Sequence, residues 1–343
     1  MLYPQLSSFI TLLSLIFSLT AQGVHAQSTT DSLRIAEIVA QEVATNDFSG
    51  TVLVATAGKP IYHQSFGYAY RQSEVLVNNN THYSVASITK TFTAIRILQL
   101  QEAGQLNVQD LVQPYLPQLK LPHSDQLSIH HLLLHISGLP NERDRDYHQP
   151  YTPLAFAQRV LGYKSPVSFG TFNYNNLDYV LLGMIIEKVT GSTWQDNIRE
   201  HILAPLDMTA TGFLKYGYYP KNFAYTYSYG KRKKPQQDPL FYIENFSAAG
   251  SMYSTTVDLL KLDQALYQNT LLCESGYAQL AQNHPGYDYV GYSVWNYRYP
   301  FVASKPLIME RRGGIMGANS VILRLPESQS TIIILSNTDR FNP

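Results

Sequence analysis

The sequence predicts an α/β fold in which both chain ends contribute to one antiparallel sheet, helices pack on it, and a mainly helical region is inserted between its strands. Short β-branched runs lie near both ends, the middle of the chain carries helical periodicity, and 343 residues at 45% hydrophobic composition suffice for a full-sized core. Neither end can bury a sheet face alone, so the two ends are expected to share a sheet.

The elements follow in order. Met1 to Ala26 has no charged residue, an apolar stretch from Phe9 to Leu19, and Val24-His25-Ala26 ahead of Gln27. That is the pattern of a secretory signal peptide, with an uncleaved interfacial anchor as the competing reading; the apolar stretch is too short for a spanning helix. Asp31 to Thr45 reads as a helix with Asp31 or Ser32 available as its cap, and Gly50 to Ala55 and Pro60 to Gly67 read as a hairpin turning at Gly58. Helices are predicted over Ser87 to Ala103, closed by Gly104, over Ile129 to His135, over Leu177 to Val189, closed by Thr190-Gly191, and over Thr256 to Tyr267. Ser320 to Leu325 and Ser330 to Leu335 are strands divided by Pro326-Glu327-Ser328-Gln329. The resulting division is a signal peptide at 1–26, a sheet domain from 27–85 and 286–343, and a helical domain at 86–285 with a tyrosine-rich insertion at about 213–243. Within that insertion Tyr216 to Tyr229 holds six tyrosines and runs toward Lys231-Arg232-Lys233-Lys234. It is either one wall of a cleft for a polar ligand or a solvated hairpin with a basic tip.

Composition excludes several functions. With 25 Lys+Arg against 25 Asp+Glu there is no net positive field to track a phosphate backbone, so nucleic acid is not an expected partner. The single cysteine, Cys273, permits neither an internal disulfide nor a thiolate metal cluster. His131 and His135 are one turn apart but lack the glutamate of a zinc-helix motif, and Gly313-Gly314 with Gly317 lack the lysine and spacing of a phosphate cradle. No metal or cofactor is expected. The mature chain is read as near neutral and periplasmic or secreted, without membrane association once the leader is removed.

Three segments could carry chemistry. Ser87-Ile88-Thr89-Lys90 puts a serine and a lysine about one turn apart on one helix face, where a desolvated Lys90 could take the Ser87 proton. Tyr174-Asn175-Asn176 precedes an apolar helix, so its phenol and amide are either held for catalysis or, more plainly, one packs while Asn175 or Asn176 caps the helix. Arg311-Arg312-Gly313-Gly314 offers a cation beside glycines that admit a close backbone, with a salt-bridged surface turn against Glu310 as the bland alternative.

In this order, and with Ala204-Pro205-Leu206-Asp207-Met208 and Ala248 to Thr255 as further landmarks, the chain from about residue 31 to 337 resembles the class C β-lactamases, penicillin-binding DD-peptidases and related esterases. The resemblance implies a serine β-lactamase/transpeptidase-like fold, acylation of Ser87, proton removal by Lys90, and proton transfer to the leaving group by Tyr174. It also implies that Asn176 binds the acyl-side amide and that the backbone N–H groups of Ser87 and Gly314 form the oxyanion hole. The departure is at the third segment, where Arg311-Arg312-Gly313 stands for a Lys or His, a small residue and Gly. Arg311 is a rigid fork suited to a carboxylate, and Arg312, if it enters the cleft, narrows the space beside Ser87. The expected activity is that of an exported D-Ala-D-Ala carboxypeptidase acting on cell-wall-type peptides, its substrate a small molecule, an ester or a D-amino-acid-containing peptide that can bear a carboxylate. An esterase or β-lactamase is the alternative within the same chemistry. A non-catalytic binding protein, or a surface protein that makes contacts through its tyrosines, is the alternative outside it.

Overall fold

The computed structural model describes residues 26–231 and 234–341. The predicted leader up to His25 and the basic residues Arg232 and Lys233 lie outside them. Among the described residues no helix is long and apolar enough to cross a membrane.

Helix α1 (Ala26–Asn46) leads into β1 (Gly50–Thr56) and β2 (Lys59–Phe66), the expected helix and hairpin. Near the other end come β5 (Trp295–Arg298), β6 (Leu307–Ile315), β7 (Ala318–Leu325) and β8 (Ser330–Ser336), after two short central strands, β3 (Tyr83–Ser84) and β4 (Met252–Ser254). The six long strands form one antiparallel sheet in the order β5-β6-β7-β8-β1-β2, so the two chain ends meet at the β8–β1 pair. Strand alternation then sorts the side chains. Ile332 and Ile334 of β8 join Val52 and Val54 under Ile35 and Val39 of α1, while Ile333 and Leu335 join the helical core on the other face. Burial on both faces explains why β8 reads as an unbroken apolar run rather than an alternating one.

The inserted region is built around α2 (Thr89–Glu102), which is buried on every side from Thr89 to Leu98. A helix of this kind must satisfy its polar groups internally. Thr93 Oγ1 donates to the Ala248 carbonyl at 2.8 Å, and Arg96 Nε donates to Asn197 Oδ1 at 3.0 Å. Helix α3 (Asn176–Thr190) packs beside it and stops at Gly191, whose φ of 72° supplies the left-handed cap. Helix α4 (Thr256–Tyr267) starts at Thr255, whose side chain accepts from the Asp258 N–H. Short helices at Pro153–Leu161, Trp194–Ile198 and Glu274–Ala281, which are not among the predicted helices, fill the remaining space.

The tyrosine-rich segment is not the wall of the Ser87 cleft. Tyr227 and Tyr229 are buried; the Tyr227 hydroxyl accepts from the Arg71 N–H at 2.9 Å, and the Tyr229 hydroxyl donates to Asp47. The phenols tie this segment to Arg71, beyond β2, and to Asp47, between α1 and β1, and Tyr225 borders a separate void of about 30 Å³.

Candidate active site

The Ser87 turn is held by backbone pairing before any side chain acts. β3 pairs with β4, and the Val85 N–H donates to the Met252 carbonyl at 3.0 Å. The chain then enters a short 3₁₀ turn, Ala86–Ile88, in which Ala86 has a φ of 44°. A left-handed non-glycine residue costs of order 1–3 kcal/mol, and its place immediately before Ser87 lifts that hydroxyl off the helix start. The α-helix proper begins at Thr89, two residues later than the sequence pattern indicates.

Lys90 is fully buried, and its Nζ donates to Ser87 Oγ at 3.1 Å, Asn176 Oδ1 at 2.6 Å and the Ala249 carbonyl at 2.7 Å. Burial pushes this ammonium down to about 8; the neighbouring Tyr174 raises it and the Arg311 cation lowers it further. When Lys90 is neutral, the Asn176 and Ala249 oxygens take its two N–H groups and the lone pair is left facing Ser87 Oγ.

Tyr174 donates its phenolic proton to Ser87 Oγ at 2.8 Å and accepts from Arg311 Nη2 at 2.7 Å. Burial alone pushes the phenol up, but the Arg311 and Lys90 cations and its hydrogen bonds outweigh that and hold it at about 8. Two groups that exchange protons near neutrality therefore touch one serine hydroxyl, and they titrate as a coupled pair.

Asn175 is the helix cap: its side chain accepts from the Leu177 N–H at 2.8 Å. Asn176 is thereby free of capping and turns its oxygen to Lys90, while its Nδ2 donates to Glu142 Oε1 at 2.6 Å. Both ends of this amide are engaged by the protein.

The third segment lies inside β6, not in a surface turn. Arg311 is 2% exposed and spends its fork on the protein: Nε on the Ser87 carbonyl at 2.8 Å, Nη1 on the Ser293 carbonyl at 2.9 Å, and Nη2 on Tyr174. Strand alternation turns Arg311 beneath the serine, so Nε, Nη1 and Nη2 each meet a protein acceptor, while the residue also borders the cleft. Arg312, on the opposite face of the strand, is exposed and pairs with Glu310 at 3.1 Å. Gly313 is required by close approach: a Cβ there would lie 2.2 Å from the Val85 carbonyl oxygen and 3.1 Å from the Ser87 nitrogen. Gly314 borders the cleft with Ser87. The pairing of β6 with β5 ends at Glu310, so residues 311–315 run on beside Ser87 beyond the end of β5.

The cleft above Ser87 holds about 670 Å³ and is walled by Phe172, Tyr174, Trp295 and Tyr297, with Glu310 and Arg312 at its polar side. Sequence reasoning missed Glu142, Ser293, Trp295 and Tyr297. Only the alternation Trp295-Asn296-Tyr297 carries a local signal, that of a short edge strand. The histidines serve the scaffold: His131 Nδ1 accepts from the Ser128 N–H at a helix start, and buried His135 lies between Asp178 Oδ2 and the Asn175 N–H. Among the described residues no cluster of His, Cys, Asp or Glu has the makings of a metal site.

A half-buried serine hydroxyl at the floor of a cleft, between a buried lysine and a tyrosine, is the arrangement of an acyl-transferring serine hydrolase. The chain belongs to the Beta-lactamase family, whose model matches residues 35–343, and its members are serine hydrolases that work through an acyl-enzyme. Penicillin-binding protein 4* of Bacillus subtilis (strain 168) is 30% identical over 323 residues, 86% of this chain and 69% of its own length. Teichoic acid D-alanine hydrolase of Staphylococcus aureus (strain MRSA252) is 29% identical over 79% of this chain and 66% of its own. The D-amino acid amidase from Ochrobactrum anthropi SV3, solved with L-phenylalanine amide, matches with a TM-score of 0.73 at 25% identity, over 87% of this chain and 88% of its own. Among the most similar curated relatives, this chain spans between 43% and 69% of the relative's length.

Proposed function

We propose that this protein is an exported hydrolase that is acylated on Ser87 by small or peptide substrates containing a D-amino acid, in the manner of a D-Ala-D-Ala carboxypeptidase. The observation that carries the reading is the convergence of Lys90 Nζ and the Tyr174 hydroxyl on Ser87 Oγ, at 3.1 and 2.8 Å. Neutral Lys90 takes the serine proton as Oγ attacks the acyl carbon. The charge on the tetrahedral oxygen falls to the backbone N–H groups of Ser87 and Gly314. Tyr174 delivers a proton to the departing amine or alcohol, and water then attacks the acyl-enzyme with the proton flow reversed. The open stretch of β6 beyond Glu310 is where an extended acyl chain would lie.

A second reading has its own support. A carboxypeptidase must hold a terminal carboxylate, yet Arg311 is committed to protein acceptors and Arg312 to Glu310. That favours D-aminoacyl esters or amides, which present no such carboxylate. The names of two of the relatives, a D-alanine hydrolase and a D-amino acid amidase, fit this class.

The test is an intact-mass time course of residues 27–343 with benzylpenicillin, a D-Ala-D-Ala peptide and a D-alanyl ester, each repeated on Ser87→Ala. An adduct of acyl mass on the wild type alone supports the reading, and the faster of the two D-alanyl substrates separates peptidase from esterase. No adduct and no product with any of the three overturns it.

A further inference from the structure

We propose that Glu142 is a positioning residue for the acyl-transfer reaction: its carboxylate fixes the rotation of the Asn176 amide, and through that amide it aims Lys90 at Ser87. The inference rests on the reading of Lys90 as the group that takes the Ser87 proton.

An asparagine side chain presents an acceptor at one end and donors at the other, and nothing in its own shape decides which faces which neighbour. Lys90 needs the acceptor end. If the amide turned over, its N–H₂ would meet the Lys90 N–H groups donor to donor, and one of the anchors that leave the lysine lone pair facing Ser87 would be lost. A carboxylate accepts only, so Glu142 Oε1, at 2.6 Å from Asn176 Nδ2, permits a single orientation. Glu142 is itself held. The Tyr147 hydroxyl donates to the same oxygen, and the Tyr147 ring stacks on Phe246 with centroids 4.4 Å apart. Asn141 completes the frame, because its Oδ1 accepts from the N–H groups of both Glu142 and Asn176, at 3.2 and 3.1 Å, and its Nδ2 donates to the Tyr174 carbonyl. One loop therefore grips both Tyr174, which meets Ser87, and Asn176, which meets Lys90.

The carboxylate has a second consequence. Glu142 Oε2 is buried and has no hydrogen-bond partner, so its charge is poorly screened and acts on the lysine ammonium behind the amide. The other titratable and charged groups facing Lys90 are Tyr174 and Arg311, with Tyr179 5.7 Å away ring to nitrogen, and His135 and Asp178 interact with it through space. Those facing Glu142 are Lys90, Tyr147 and Asp178. Removing the charge at 142 destabilises the ammonium, so neutral Lys90 persists to lower pH.

Two variants separate orientation from charge. Glu142→Gln keeps an acceptor oxygen for Asn176 and Tyr147 but loses the charge, and Glu142→Ala loses both. The assay is p-nitrophenyl acetate hydrolysis by the full chain after leader removal, read as kcat, KM and the pH profile of kcat/KM, with a urea melt on every variant. The expected results are an acid limb moved to lower pH in Glu142→Gln, and a kcat about tenfold or more lower in Glu142→Ala with KM little changed. Glu142→Ala combined with Asn176→Ala is expected to be no slower than Asn176→Ala alone, since the carboxylate aims the lysine only through that amide and losing its charge favours neutral Lys90. An unmoved acid limb in a folded Glu142→Gln, or additive losses in the double variant, overturns the proposal. A wild type that forms no acyl adduct overturns the acyl-transfer reading first, and this proposal with it.

Discussion

Replacing Arg311 by methionine tests the chemistry of the site most directly, because one side chain binds the Ser87 carbonyl, the Ser293 carbonyl and the Tyr174 phenol. Methionine fills much of the same volume and donates nothing. A buried acceptor left without a partner costs roughly 1–3 kcal/mol. The two carbonyls should then cost about 3 kcal/mol together, while the phenol borders the cleft and regains water. The electrostatic effect has a definite sign. The Arg311 cation lowers both the Lys90 and the Tyr174 pKa, each of which stands at about 8. Its removal raises both, so the acid limb of kcat/KM moves to higher pH, opposite to the shift expected of Glu142→Gln. With the phenol also untethered, acylation at pH 7 should fall about a hundredfold. Arg311→Lys keeps the charge and loses the fork, so its acid limb should stay near that of the wild type while the rate falls by less. Intact-mass acylation rates between about pH 5 and 10, with urea melts alongside, make the measurement. A folded Arg311→Met that acylates within about threefold of wild type at pH 7, with its acid limb unmoved, would refute the reasoning.

Two further outcomes are expected. Gly313→Ala would bring a Cβ to 2.2 Å from the Val85 carbonyl oxygen, so β6 and the Ser87 turn must part by about 1 Å; a displacement of that size is expected to slow acylation about a hundredfold, and an alanine variant with full activity would contradict the geometry. Stability should decline on acidification below about pH 6.5: burial, then Lys90 and Arg311, hold His135 well below its ordinary value, and burial, then His131 and His284, bring His130 down to about 4. Both imidazoles are neutral when folded and bind protons more readily when unfolded, so their contribution is complete above the unfolded value near 6.5 and is lost as pH falls toward 4; a urea midpoint that stays flat between about pH 7.5 and 5 would count against it.

The sequence by itself determined what short-range geometry controls. Ser87 and Lys90 lie three residues apart, and the turn and helix start bring them together wherever that segment is placed. Gly191 and the caps Asn175 and Thr255 act within one turn, which is why the ends of α3 and the start of α4 were readable to within about two residues. The β-branched runs at both ends pointed to a shared sheet because neither could be buried alone. Only the tertiary structure decided the rest. Glu142 meets Asn176 across 34 residues and Arg311 meets Tyr174 across 137, and no local pattern encodes such meetings. Whether Arg311 or Arg312 faces the serine depends on the register of β6, since a shift of one residue would exchange their faces. Tyr225, Tyr227 and Tyr229 alternate in the sequence, yet Trp295 and Tyr297 line the cleft, because β5 pairs with β6 up to Glu310 whereas the tyrosine segment meets β6 at its other end, near Ile315.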